Sequence, residues 1–313
     1  REVSSNPFAV NQLYDSDAFL GISRELQFFR ARINDQVTTY SPRDMLHIPF
    51  ELRGKTGNYR FSIPGIPSLY VGNTTYACWL ELGCVPDYMF NVSPVLLDGT
   101  QTILNLAVMT RVHIRLKEYK PDIVHCWLKL LVLMIATSYV IDEPDRIFKS
   151  EYIVSQSIML GSKEIGLDGV AYYSKRVSDE AFAFSAVNVA LFTKFQKGKS
   201  YSSICKHVKI DYSFNYSVYK QLGIDERKPE YVDLRVEHIG GSNHIGTYSK
   251  QFSYCNTDFC SFDTTFDAKI KSEAFKFSSK LLPAKYVYSI GLFCVTDVSF
   301  SEFSVFSVFS VSV

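Results

Sequence analysis

The chain has 313 residues, with 33 Lys+Arg against 32 Asp+Glu and a formal net charge of +1. Its 47% hydrophobic and 21% charged content excludes a chain kept disordered by low hydrophobicity and charge imbalance. Near-neutrality excludes a protein that coats nucleic acid through a basic surface, and the length predicts one large domain or two modest ones.

In chain order, residues 24–34 read as a short helix running into a strand. Residues 41–58 carry Pro42, Pro49, Gly54 and Gly57 and read as loop. Pro64-Gly65 marks a turn, and residues 68–71 (SLYV) a short strand. Asn73-Thr74-Thr75 offers N-caps for a helix through Leu82 that stops at Gly83. Residues 101–118 alternate enough to suggest strands, and Pro121-Asp122 opens a helix through the apolar stretch at 128–137. Between Lys129 and Ile141-Asp142 lie only the residues 130–140, far short of the ~20 a membrane span needs. The stretch therefore reads as a buried core segment, and no membrane association is expected. Residues 151–165 form a helix with Ile153, Gln156, Ser157 and Leu160 on one face, and Asp168-Gly169 turns into a strand ending at Ser174. Residues 187–192 form another strand. Near residue 196 the composition shifts toward Lys, Ser and Tyr, which places a boundary between a domain at 25–195 and a C-terminal extension at 196–313. Residues 303–311 (FSVFSVFSV) repeat every three positions, a period of neither helix nor alternating strand, and read as a tail.

Seven cysteines without a CxxC fit reduced thiols better than a disulfide framework. The first six residues are polar and lack the apolar core of a signal peptide, so a cytoplasmic location is expected and the sequons at Asn73, Asn91 and Asn215 carry little meaning. Gly198-Lys199-Ser200 lacks the earlier glycine of a phosphate loop, since Thr193 stands there. His238, His244, Cys255 and Cys260 have intervals at or beyond the edge of zinc-ligand spacing, so no metal is expected.

The informative stretch runs from Arg60 to Glu81. An Arg heads the turn Tyr59-Arg60-Phe61-Ser62, a Pro-Gly turn follows, a strand carries Tyr70 and a short helix bears Glu81. This would deliver a phosphate-pairing cation, an aromatic face and a carboxylate from adjoining elements. A guanidinium fork suits pyrophosphate oxygens, and a carboxylate beside a ribose stabilises an oxocarbenium-like transition state. Spacing alone does not separate this from a surface Arg and Glu around a core Tyr.

The string from Arg60 to Tyr70 (RFSIPGIPSLY), followed by Cys78-Trp79-Leu80-Glu81, closely resembles the RES-domain family, named for its Arg, Glu and Ser. Phe28-Phe29-Arg30-Ala31-Arg32, His47-Ile48-Pro49-Phe50-Glu51, Glu151-Tyr152-Ile153-Val154-Ser155-Gln156 and Asp168-Gly169-Val170-Ala171-Tyr172-Tyr173-Ser174 resemble further segments of that family in the same order. The resemblance covers about residues 25–195. It implies an α/β (α+β) fold similar to ADP-ribosyltransferase toxins, and cleavage of NAD at the nicotinamide–ribose bond with water or phosphate as acceptor. NAD would be substrate, with no separate cofactor.

Carried across, Arg60 would bind the NAD phosphates, Tyr70 would pack against nicotinamide or its ribose, and Glu81 would stabilise the ribosyl cation. Ser174 would bond the ribose or nicotinamide end. Arg30 or Arg32 would add a phosphate contact; the two are taken to alternate along a strand, so that Arg30 faces the site and Arg32 does not. An antitoxin protein and a second copy of the chain are the partners the resemblance implies, with no nucleic acid. ADP-ribosylation of a macromolecule and a non-catalytic interaction role are the alternatives.

Overall fold

The structure, a computed structural model, is described for residues 10–12, 26–107, 121–143, 145–176, 186–222 and 257–266. It is a mixed α/β arrangement in which helices cover a nine-stranded sheet. The strands are β1 (Val10–Gln12), β2 (Leu26–Ile33), β3 (Ser68–Gly72), β4 (Phe90–Leu97), β5 (Thr102–Asn105), β6 (Gly169–Tyr173), β7 (Val187–Phe192), β8 (Val208–Ile210) and β9 (Phe214–Asn215). Their spatial order is β1-β5-β6-β7-β3-β2-β4-β8, with β9 also on β4; β5 and β6 run parallel and the other pairs antiparallel. The helices are α1 (Thr75–Glu81), α2 (Pro121–Ala136), α3 (Ile153–Ile165), α4 (Tyr216–Gln221) and α5 (Asp258–Thr265).

Local chemistry accounts for several of these elements. Ile66 N–H donates to the Ile63 carbonyl across Pro64-Gly65, and Gly65 takes φ 87°, the positive value a type II turn needs at its third residue. Thr74 caps α1 by accepting from Ala77 N–H at 3.0 Å. α3 stops at Gly166, which is left-handed.

Strand alternation sorts the core into two layers. Phe28, Leu69, Val71, Val95, Val189 and Leu191 form one face, covered by Ile204 and Val208. The other face carries two clusters. Leu104, Val170, Tyr172, Ala190 and Phe192 pack against Leu130 of α2 and Met159 of α3, while Phe29, Val92 and Leu96 pack against Tyr216, Tyr219 and Phe262.

Two expectations are corrected here. Residues 26–33 are strand from the start of the described segment, with no helical lead-in, because each residue has a partner on β4. The stretch at 128–140 is not buried all round. Leu130 is buried, but Val132 and Ile135 are more than half exposed because α2 presents only one stripe to the sheet, and Tyr139 and Val140, beyond its end, are more than half exposed as well. The helix expected at 151–165 is present as α3, with Ile153 and Leu160 exposed and Ser155, Met159 and Ser162 buried. Residues 108–118, His238, His244, Cys255 and the repeat at 303–311 lie outside the described residues. Among the described residues no helix is long and apolar enough to cross a membrane.

The change in composition near residue 196 is not matched by a break in packing. β8 and β9 extend the sheet beside β4, and Phe262 of α5 is fully buried in the core. The Asp263 carboxylate, itself buried, accepts from Thr75 N–H at 3.0 Å and so serves one of the free amides at the start of α1. Asp263→Ala is expected to cost about 1–3 kcal/mol, the penalty of a buried amide left without its acceptor, read as a lower midpoint in urea unfolding. The three sequon asparagines are likewise structural: Asn73, Asn91 and Asn215 are buried, and Asn215 Nδ2 donates to Asn91 Oδ1 at 2.9 Å.

Candidate functional site

Arg60 sits in a tight turn closed by reciprocal hydrogen bonds between Tyr59 and Ser62, at 3.0 and 3.2 Å. Gln156 of α3 holds this turn from below, donating to the Tyr59 carbonyl and to Asn58 Oδ1. Tyr70 of β3 holds it from the sheet. Its hydroxyl accepts from Phe61 N–H at 3.2 Å and lies 2.8 Å from Ser62 Oγ. Burial, only partly offset by these bonds, keeps the Tyr70 phenol protonated well above its usual range. Tyr70 therefore fixes the Arg60 turn with its hydroxyl, beyond presenting a ring.

The Arg60 side chain is buried. Its guanidinium donates to the Thr137 carbonyl and, at 2.8 Å, to the Tyr139 carbonyl, just past the C-terminus of α2. Thr137 directly follows α2, so its carbonyl lies near the negative end of the helix, where a cation is favoured, and the Tyr139 carbonyl lies two residues further on. The guanidinium carbon also lies 5.0 Å from the centre of the Tyr152 ring. These two bonds use the Nη1 and Nη2 ends of a five-donor fork and leave donors for a further acceptor.

Glu81 is the last residue of α1, and its side chain is 35% exposed. Asn188 Nδ2 on β7 donates to Oε1 at 2.7 Å, and Arg176 Nε lies 3.9 Å from Oε2. Asn188 stands opposite Tyr172 in the sheet register, and the Tyr172 ring lies 5.0 Å from that of Phe61. A continuous group thus runs from Arg60 through Phe61, Tyr172 and Asn188 to Glu81. Burial raises the Tyr152 and Tyr172 phenols, and the charges of both Arg60 and Glu81 act on each of them. Arg60, Tyr70 and Glu81 are brought together.

Ser174 stands at the edge of this group. It is buried, its N–H donates to the Ala186 carbonyl, and its Oγ accepts from Arg176 N–H at 3.3 Å. Between them, Lys175 has its amine pulled down to about 8, chiefly by burial and then by the Arg60 charge.

Arg30 and Arg32 are placed differently from expectation. Residues two apart on a strand share a face, so the reading that the pair alternates is corrected: both guanidiniums reach the Leu46 carbonyl, at 3.4 and 3.0 Å. By register they project with Phe28, on the side of the sheet away from the Tyr70 side chain. Arg30 also donates to the Tyr70 main-chain carbonyl at 2.7 Å. Burial, then the neighbouring Arg32 charge, lowers its guanidinium to about 9. It braces the strand that carries Tyr70 and does not join Arg60 and Glu81. Cys260, one arm of the rejected zinc reading, is buried in α5, and among the described residues no cluster of three or more His, Cys, Asp or Glu could hold a metal.

No protein-family model matches the chain. Over 181 residues it is 30% identical to a protein of Bacillus subtilis (strain 168) named "Putative toxin YopC", in an alignment covering 53% of this chain and 39% of that protein. The chain spans about two fifths of that relative's length. Among solved structures it is similar to a chain from the M. tuberculosis MbcT-MbcA toxin-antitoxin complex, with 12% identity, a TM-score of 0.33, and coverage of 64% of this chain and 90% of the other. At that score the residues of the site rest on this chain's own geometry.

Sequence reasoning did not single out Tyr152, Tyr172, Lys175, Arg176 or Asn188. Asn188 had a readable signal, since it is the lone polar residue in the strand VNVALF, every position of which is buried. The partner of such a buried amide lies elsewhere in the chain, and the strand pattern does not name it.

Proposed function

We propose that the chain is an enzyme that breaks NAD at the nicotinamide–ribose bond and acts as a toxin. The observation that carries this reading is the convergence of Arg60 and Glu81, from a turn and a helix end, on one group lined by Tyr70, Tyr152 and Tyr172. The RES-like string of residues that links them and the toxin name of a relative with 30% identity support it.

In this reading the free donors of Arg60, with Lys175 and Arg176, hold the pyrophosphate. The carbon–nitrogen bond between ribose C1 and nicotinamide breaks with its electron pair leaving on the pyridine nitrogen, which loses its positive charge. The positive charge that develops on the ribose lies against the Glu81 carboxylate. Capture by water, with loss of one proton, gives ADP-ribose; capture by phosphate gives its 1-phosphate. Ser174, beside Arg176, bonds the ribose or nicotinamide end. An antitoxin partner follows from the same reading, as a protein that closes this group to NAD.

The test is to incubate the purified chain with NAD, with and without phosphate, and follow free nicotinamide. Release is the expected result; no release in either buffer overturns the proposal. The Lys175 amine adds a pH signature. Its cationic form is lost as pH rises through about 8, so KM for NAD is expected to rise through that window. Lys175→Met should have the higher KM below that window, meet the wild type above it, and so flatten the dependence.

A further inference from the structure

We infer that Asn188 is the positioning residue of the Glu81 carboxylate, an inference that rests on the NAD reading above. β7 is otherwise apolar and entirely buried, and Asn188 is 4% exposed. A buried amide costs stability unless its polar atoms are bonded, so its presence there calls for a partner. That partner is Glu81 Oε1, at 2.7 Å.

The scaffold fixes the distance. Asn73, at the entry to α1, and Val187, next to Asn188, exchange two hydrogen bonds: Asn73 N–H to the Val187 carbonyl at 2.8 Å and Val187 N–H to Asn73 Oδ1 at 2.9 Å. This couples the start of the helix that bears Glu81 to the strand that bears Asn188. Glu81 closes the brace at the other end of the helix. Its second oxygen, Oε2, lies 3.9 Å from an arginine whose side chain is 56% exposed.

The neutrality of the donor matters. An amide N–H restrains the carboxylate's rotamer while leaving its charge intact. A Lys or Arg at position 188 would hold the same oxygen but cancel much of the field a ribosyl cation needs. Asn188 touches neither ribose nor nicotinamide in this scheme; it acts through Glu81.

Two variants of the full chain test this by nicotinamide release across pH. Asn188→Asp is nearly isosteric and sets a second carboxylate against Glu81. The pair then shares a proton, and the acid limb of kcat is expected to move up by one pH unit or more, on the order set by close carboxylate pairs. Asn188→Ala is expected to lower kcat on the order of ten-fold with KM little changed. The 13C shift of the labelled Glu81 carboxyl at one fixed pH supplies a readout independent of turnover, and it is expected to move in both variants as the Asn188 hydrogen bond is lost. Wild-type kinetics and pH profiles together with an unmoved Glu81 carboxyl shift would overturn the positioning role while leaving the NAD reading intact. Absence of nicotinamide release by the wild type would overturn the NAD reading, and the carboxyl shift would still decide whether Asn188 governs Glu81. Should Asn188→Ala not fold, Asn188→Asp carries the test.

Discussion

Glu81→Gln is expected to lower nicotinamide release from NAD on the order of 10²–10³-fold, the scale of removing one preorganised electrostatic contact to a transition state. The substitution keeps the shape of the side chain and an oxygen to accept from Asn188 Nδ2, so the helix end should remain where it is. What it removes is the negative charge, leaving a developing ribosyl cation without its counter-charge. The 3.9 Å approach of Arg176 is also lost as an ion pair. That pair is solvent-exposed, and exposed pairs contribute only about 0–1 kcal/mol. The melting temperature is therefore expected to stay within a few degrees of wild type. Turnover by the Gln variant equal to wild type would remove Glu81 from the chemistry.

Arg60→Ala is expected to abolish turnover and to destabilise the chain together, because the same side chain does two things. It bonds the Thr137 and Tyr139 carbonyls beyond α2, and in the proposed function its remaining donors hold a phosphate. Loss of a buried charged donor that leaves carbonyls unsatisfied costs about 1–3 kcal/mol. Arg60→Lys separates the two roles. A single ammonium on a flexible stem retains the charge but does not reproduce a planar fork bonded to two carbonyls. It should regain part of the stability while KM for NAD stays raised. Thermal melts and steady-state kinetics on the same preparations read both effects. Wild-type KM in both variants would leave Arg60 a helix cap only.

The segment from Arg60 to Glu81 was largely readable because its chemistry is local. A Pro-Gly turn with positive φ at Gly65 and a Thr74 cap on Ala77 N–H involve residues within a few positions of one another. The same locality limits what can be read. Periodicity identifies a stripe on α3 without saying whether it faces in or out, and the face that carries Ile153 and Leu160 faces out. Arg30 and Arg32 do not split between the two faces as expected, since two-residue spacing puts both on one side of β2. No local signal linked Asp263 to Thr75, 188 positions away in sequence.

The order of residues by itself determined the turns, the caps, most strand and helix positions, and the short stretch in which a guanidinium, a phenol and a carboxylate recur. These follow from backbone preferences and neighbouring side chains. Only the tertiary structure decided which faces are buried, that Asn188 holds Glu81, that Arg60 bonds the carbonyls beyond α2, and that α5 caps α1. Each of those is a contact between distant segments. Its partner is set by how the sheet and its covering helices pack, and no window of neighbouring residues contains both ends of the bond.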